Sequence, residues 1–156
     1  MGDICVEESV KKENPNFRLR DAFLMLLLGA AVGIGLNLVF SVFGITQVSE
    51  SFEEVAQAQF ARPFWEGIIL YGMEAPVLEE IIFRKGIYGI VRRFAGFTVA
   101  MVVSAVLFGI YHDNAVQGLY GFLMGLVLAA SYQKYQNLVA PILFHSGANL
   151  AVYILM

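Results

Sequence analysis

The chain has 156 residues, of which 58% are hydrophobic and 15% are charged, and its formal net charge is −3. Soluble domains carry about 25% charged residues, so this composition argues against a water-soluble protein and predicts an integral membrane protein. No stripe of Lys and Arg would follow a phosphate backbone, which excludes nucleic acid as a partner. Cys5 is the only cysteine, which excludes an internal disulfide and a thiolate zinc site.

The charged residues are unevenly distributed along the chain. Residues 22–48 include none, and residues 94–156 include only Asp113 and Lys134. A helix that crosses a bilayer needs about 20 mostly apolar residues, and several segments reach or approach that length. We therefore predict an all-α fold, a polytopic membrane helical bundle with about five transmembrane spans that contacts membrane lipid.

The N-terminal part is predicted to contain a polar head and a first span. Residues 1–20 form the head, and the apolar stretch after them is too long for a signal peptide. Residues 21–62 are expected to hold the first span, at Phe23–Phe43, and an interfacial segment. Gly29-x-x-x-Gly33 favours close packing against another helix, although glycines are also tolerated in membrane helices without such packing.

The segment Ser49–Arg62 is polar and acidic. Ser51 and Glu54 have the spacing of a capping box, in which each side chain bonds a backbone N–H at the start of a helix. The apolar residues that follow fall on one helix face. We therefore expect a short helix that lies in the membrane interface.

Residues 63–156 are expected to form the remaining spans. Pro76 cannot donate a hydrogen bond to the Gly72 carbonyl, so a kink or a restart is predicted within the second span. Turns are expected at residues 112–114 and 134–137. The predicted helices are Phe64–Arg93, Ala95–Tyr111, Ala115–Tyr132 and a last helix that opens at Pro141.

Clusters of basic residues predict the orientation in the membrane. They precede span one, follow span two and follow span four, so all of them lie on one side if there are five spans. Positively charged short loops stay in the cytoplasm, so the N-terminus is expected to be cytoplasmic. The acidic segment Ser49–Arg62 then lies on the opposite side, with Arg62 as its lone cation. The clusters are Lys11, Lys12, Arg18 and Arg20; Arg84, Lys85, Arg92 and Arg93; and Lys134.

Two adjacent glutamates form the first of three polar groups in the apolar segments. Ionisable side chains at membrane depth are costly and indicate function. Glu80 and Arg84 are four residues apart on one helix face and can pair. Glu79 is turned about 100° away and has no partner of its own in the sequence, which suits a general base for water. The alternative is that both glutamates share Arg84 as a structural cluster.

The second and third groups contain the two histidines. His112 ends the third span and is a second base, a donor, a ligand or a plain loop histidine. His145 and Asn149 are four residues apart, so they share one helix face. An imidazole and an amide can both donate to one oxygen, as an oxyanion hole requires. The alternative is a polar contact between two helices.

These groups resemble the three motifs of the CAAX-protease and bacteriocin-processing (CPBP) family of intramembrane endopeptidases. The motifs are Glu79-Glu80 with Arg84, Phe108-x-x-x-His112, and His145-x-x-x-Asn149 after Ala-Pro-Ile-Leu, in the family's order. The resemblance covers about residues 75–150 and implies an all-helical membrane protease. It assigns the base to Glu79, support to Glu80 and Arg84, and polarising or oxyanion roles to His112, His145 and Asn149.

The favoured function is hydrolysis of a peptide bond in a peptide or protein substrate, without a metal or other cofactor. One alternative is a zinc-dependent protease whose ligands are Glu79, His112 and His145. The other is a non-catalytic membrane immunity or regulatory protein with the same bundle. Strict alternation of spans places Glu79 and His112 near opposite membrane faces, so catalysis requires the helices to bring them together.

Overall fold

The computed structural model describes residues 17–112 and 114–155. Most of the predicted head, residues 1–16, therefore lies outside the described residues. Helix α1 spans Leu19–Val42 and begins before the predicted Phe23. At its start the Arg18 backbone N–H donates to the Asp21 carboxylate at 2.9 Å. Polar residues at the end of the head thus extend the first helix.

The interfacial segment folds as predicted, but a different residue caps it. A 3-10 turn at Ile45–Val48 leads to helix α2, Glu50–Phe60, none of whose residues is buried. The cap is Ser49, whose Oγ accepts from the Phe52 backbone N–H at 3.3 Å. The prediction that Ser51 caps the helix was wrong, because Ser51 already lies inside it and bonds the Ser49 hydroxyl at 2.9 Å.

A long helix, Phe64–Ile110, follows and includes both motif glutamates. It is continuous at Pro76, where a restart was one expectation. A π-helix, in which each N–H bonds the fifth residue back, occupies Leu70–Glu74 just before the proline and absorbs the missing N–H. The successive segments are α3 Phe64–Ile69, the first π-helix Leu70–Glu74, α4 Ala75–Glu80, the second π-helix Ile81–Tyr88 and α5 Gly89–Ile110.

The long helix folds back on itself at Gly96. This residue has φ 80° and ψ 179°, a conformation that glycine adopts at low cost. The second limb returns along the first, so that the rings of Phe83 and Phe108 lie 5.0 Å apart. The predicted boundary between spans two and three, after Arg93, therefore lies close to the observed fold-back.

Two further helices complete the bundle. Helix α6 spans Ala115–Tyr135, and helix α7 spans Val139–Leu155. Leu19–Val42, Phe64–Ile110 and Ala115–Tyr135 are long and apolar enough to cross a membrane, and Val139–Leu155 is a shorter apolar helix. Because Gly96 divides the long helix into two limbs, the described residues contain five apolar helical segments and no strand. The predicted all-α membrane bundle is confirmed.

Glycines allow helices α1 and α7 to pack closely. A Cβ atom at Gly29 would overlap the Phe144 backbone, and one at Gly147 would overlap the Leu26 backbone. At Gly33 it would meet the Ala148 Cα at 2.9 Å. The structure therefore confirms the close-packing interpretation of the Gly29-x-x-x-Gly33 pattern. The buried core beside this contact consists of Met25, Phe83, Phe108, Met124, Leu128, Ala140, Phe144 and Ala148.

Candidate active site

The two motif glutamates occupy different environments on the short helix α4. Glu80 is fully buried and accepts a hydrogen bond from Arg84 Nε at 2.8 Å, so the predicted pair is present. The Glu79 side chain is 16% exposed, and its Oε2 lies 3.7 Å from His145 Nε2. Glu79 therefore faces an imidazole, while Glu80 forms the ion pair with Arg84.

Ser104 completes the environment of Arg84, and the sequence gave no sign of it. Arg84 Nη1 donates to Ser104 Oγ at 2.7 Å, and the Ser104 hydroxyl donates to the Phe83 carbonyl at 2.9 Å. All three side-chain groups of this network, including Glu80, are fully buried. Arg84 is therefore part of the bundle interior, and counting it among the basic loop residues of span two was wrong.

His145 connects the buried ion pair to the exposed glutamate. Its Nδ1 lies 3.1 Å from Glu80 Oε1. The ionised carboxylate beside Arg84 accepts hydrogen bonds, so we assign the proton to Nδ1. The Nε2 of a neutral ring is then an acceptor that faces Glu79, and it donates only when the imidazole is protonated.

His112 is held in a similar way by a backbone group. Its Nδ1 lies 2.8 Å from the Phe108 carbonyl oxygen, which can only accept, so Nδ1 carries the proton. The Nε2 atom is left as an acceptor. Gly121 on helix α6 makes room for this ring, because a Cβ there would lie 2.9 Å from His112 Cε1 and 3.0 Å from Nδ1. The sequence did not indicate this role for Gly121.

The Phe108 ring fixes the positions of several site residues. It packs edge to face against His112 at 5.1 Å and against His145 at 5.7 Å between ring centroids. The Arg84 guanidinium carbon lies 5.1 Å from its centroid, within the range of a cation–π contact. Phe108 is 1% exposed. It therefore acts as the packing centre around which the charged groups are arranged.

Asn149 bonds a backbone carbonyl of the long helix. In the first π-helix the Ala75 N–H donates to the Leu70 carbonyl, so it does not bond the Tyr71 carbonyl. The next N–H in that register would come from Pro76, which has none. Asn149 Nδ2 donates to the Tyr71 oxygen at 3.1 Å. Since an amide has two N–H groups, one stays available for a ligand.

The structure brings four of the predicted site residues to one cavity of about 410 Å³, lined by Glu79, His112, His145 and Asn149 among others. The fold-back explains how the first two meet. Glu79 precedes Gly96 by 17 residues and His112 follows it by 16, so the two antiparallel limbs place them at one level. The predicted separation of Glu79 and His112 to opposite ends was therefore wrong, because Glu79 lies midway along its limb. Glu80 and Arg84 lie behind the cavity wall.

The candidate zinc ligands have mixed features. Both histidines bond their Nδ1 atoms to an oxygen and leave Nε2 unbonded, as zinc-bound histidines do. However, no three His, Cys, Asp or Glu side chains within residues 17–112 and 114–155 are grouped closely enough to hold a metal ion. In this conformation the donor set does not fit a three-ligand metal site.

A family model supports the identification suggested by this site. Residues 61–151 match the Rce1-like model, described as type II CAAX prenyl endopeptidase. The chain belongs to the Rce1-like CAAX endopeptidase family. The matched range contains all six predicted site residues, and membership of the wider CPBP family, predicted from the three motifs, is confirmed. No solved structure matches the chain.

Curated relatives of this Rce1-like chain are bacterial membrane proteins. YdiL of Bacillus subtilis, named as a candidate membrane peptidase, is 34% identical over 123 residues, which cover 79% of this chain and 50% of YdiL. YbdI of Lactococcus lactis is 30% identical over 93 residues, 59% of this chain and 50% of YbdI. MroQ of Staphylococcus aureus, named a membrane-embedded CAAX protease, is 29% identical over 134 residues, 79% of this chain and 53% of MroQ. The chain thus spans about half the length of these relatives.

Proposed function

We propose that the chain is an intramembrane endopeptidase that hydrolyses a peptide bond with a water molecule activated by Glu79. The observation that carries the proposal is the convergence of Glu79, His112, His145 and Asn149 on one cavity. Two relatives named as a protease and a candidate peptidase support a peptide or protein as the substrate. The apolar exterior of the bundle supports a membrane setting for the reaction.

Glu79 and His112 activate the water. The water donates one hydrogen bond to the Glu79 carboxylate and one to His112 Nε2, the acceptor left free by the Phe108 carbonyl. As the water oxygen attacks the carbonyl carbon of the substrate, its proton passes to Glu79. The same proton then moves to the leaving nitrogen when the C–N bond breaks, which regenerates the Glu79 carboxylate.

Asn149 and His145 stabilise the negative oxygen of the tetrahedral intermediate. Asn149 donates its second N–H, because its first is used by Tyr71. His145 donates from Nε2 in its protonated form, and the Glu80 carboxylate at Nδ1 stabilises that imidazolium. Arg84 in turn balances the charge of Glu80. Glu80 and Arg84 therefore act through His145 rather than on the substrate.

A zinc-dependent protease is the second candidate. It is favoured by the bonded Nδ1 atoms of His112 and His145, which leave each Nε2 for a metal. Zinc would be held by these atoms and Glu79, and it would lower the pKa of a bound water. We favour the metal-free site because Asn149 is a good neutral donor to an oxyanion and the three ligands are not grouped.

Chelation tests the choice between the two mechanisms. Purified protein in lipid vesicles is incubated with a mixed peptide library, and the products are identified by mass spectrometry. We expect peptide cleavage to survive exhaustive chelation. Activity that disappears on chelation and returns with zinc would support the metalloprotease, and no cleavage under any condition would support the non-catalytic immunity or regulatory protein.

We also propose that the N-terminus is cytoplasmic and the C-terminus lies on the opposite side. Without Arg84, the basic residues that support this orientation are those before α1, those near Gly96 and Lys134. A reporter fused after Met156 should be active only outside the cytoplasm. A cytoplasmic reporter signal would refute both this orientation and an odd number of spans.

A further inference from the structure

Arg62 is a cation of the catalytic cavity that the proposed mechanism does not use. It lies in the turn between helix α2 and Pro63 and lines the same cavity as Glu79. Apart from the two histidines, Arg62 and Glu79 are the charged residues of the lining. Arg62 is exposed, whereas Glu79 is mostly buried, so the positive charge lies at the open end of the cavity.

The guanidinium of Arg62 is not neutralised by the described protein. Within residues 17–112 and 114–155 it makes no ion pair or hydrogen bond, although Glu66 follows it by four residues. The acidic residues of α2 lie near the start of that helix, and Glu54 is eight residues away, about 12 Å along the axis. The cation is therefore available to a ligand that enters the cavity.

The charge pattern of the cavity selects the chemistry of that ligand. A guanidinium binds a carboxylate through two parallel hydrogen bonds. An anionic group that went deeper would meet the Glu79 carboxylate and be repelled. Beside Arg62, Gln59 and Gln117 supply amide groups, while Val55 and Val152 supply apolar wall. The lining therefore accommodates a mainly apolar peptide with one carboxylate at the exposed end.

We propose that Arg62 is a specificity-determining residue that binds a carboxylate of the peptide substrate, while the scissile bond lies at Glu79. The inference rests on the proposed endopeptidase function. The carboxylate is either the free C-terminus of the peptide or an Asp or Glu side chain at a fixed distance from the cleaved bond. Binding there aligns the peptide in one direction along the cavity.

The test compares wild-type protein with Arg62→Gln, Arg62→Glu and the control Arg20→Gln in neutral phosphatidylcholine vesicles. Arg20 has a 75% exposed side chain and lies outside the cavity lining. Each protein receives randomised peptide libraries with free or amidated C-termini. We expect wild type and Arg20→Gln to prefer acidic peptides, Arg62→Gln to raise KM for them about three- to tenfold with unchanged kcat, and Arg62→Glu to prefer basic peptides.

The two libraries identify the source of the carboxylate. Loss of the preference on C-terminal amidation identifies the terminal carboxylate, and a preference that persists identifies an acidic side chain. Equal preferences in wild type and both Arg62 variants would overturn the proposal. So would an effect of Arg62→Gln that arises only with anionic lipid, because Arg62 would then bind lipid headgroups.

A binding measurement separates this proposal from the proposed function. The same libraries are selected for affinity on Glu79→Gln protein in nanodiscs, with and without Arg62→Gln. Arg62-dependent enrichment of acidic peptides supports the site even if wild-type protein cleaves nothing. Cleavage by wild type with no such enrichment, and with no Arg62-dependent preference, contradicts the site while the peptidase function stands.

Discussion

Asn149 and Tyr71, 78 residues apart, are joined by a hydrogen bond from the Asn149 side-chain amide to the Tyr71 carbonyl oxygen at 3.1 Å. The bond exists because Pro76 and the preceding π-helix leave that carbonyl without a backbone donor. It ties helix α7 to the long helix beside the cavity. Asn149 therefore has two roles, one in orienting a helix and one as a donor to the substrate.

A double-mutant cycle separates these roles. Asn149→Ala should cost about 1–3 kcal/mol of stability, because the Tyr71 carbonyl loses its donor, and should lower the rate about 10²–10³-fold. Pro76→Ala supplies an N–H that can bond this carbonyl. In the Pro76→Ala background, Asn149→Ala should therefore cost less stability, while the loss of rate stays. Thermal unfolding in lipid and peptidase rates test this, and additive stability effects would contradict the account.

Removing Arg84 should destabilise the protein more than changing Glu79. Arg84 and Glu80 are both fully buried, so Arg84→Ala leaves a buried carboxylate unpaired, at a cost of about 3–5 kcal/mol. Glu79→Gln removes a partly exposed charge and should accumulate normally. Membrane-fraction immunoblots of the two variants provide the measurement. Equal amounts of both variants would contradict this division between structural and catalytic charge.

The contact between α1 and α7 predicts different outcomes for two glycines of one helix. Gly29→Ala places a methyl group against the Phe144 backbone and should cost about 1–3 kcal/mol. Gly35→Ala has no atom within 4 Å of the added Cβ and should be neutral or slightly stabilising. Thermal unfolding of both variants in one lipid is the measurement. If both substitutions are tolerated, the close contact is absent from the folded protein.

Gly121→Ala should impair catalysis more than stability. The added Cβ meets only the edge of the His112 ring, which can move, so unfolding should change little. Moving a catalytic imidazole by about 1 Å can cost about 10²-fold in rate. Gly89→Ala, whose Cβ would make an ordinary contact at 3.6 Å, is the matched control. Normal activity of Gly121→Ala would argue that the position of His112 is not critical.

The sequence predicted the helical segments and the near pairs, because both depend on local spacing. Glu80 and Arg84 are four residues apart and do pair, and the Gly29–Gly33 spacing corresponds to a close contact. The boundaries of the spans were also near those observed, because charged residues end the apolar segments. Interactions of this range are determined by helix periodicity.

Contacts between distant segments could not be predicted in the same way. Ser104 binds Arg84 from 20 residues away, and nothing near Ser104 in the sequence signals it. The carbonyl left free near Pro76 was expected at Gly72, but the π-helix shifts the register so that Tyr71 is left free instead. The meeting of Glu79 and His112 depends on a fold-back at Gly96, whose conformation periodicity does not encode.

Peptide hydrolysis by Glu79→Gln protein tests the central claim, that Glu79 activates the catalytic water, most directly. Glu74 is an exposed glutamate of the same long helix outside the cavity lining, so Glu74→Gln is the matched control. In lipid vesicles under chelation, we predict that Glu79→Gln folds and accumulates like wild type but loses all measurable cleavage, while Glu74→Gln retains the wild-type rate. Cleavage by Glu79→Gln at a rate near that of the control would contradict the account.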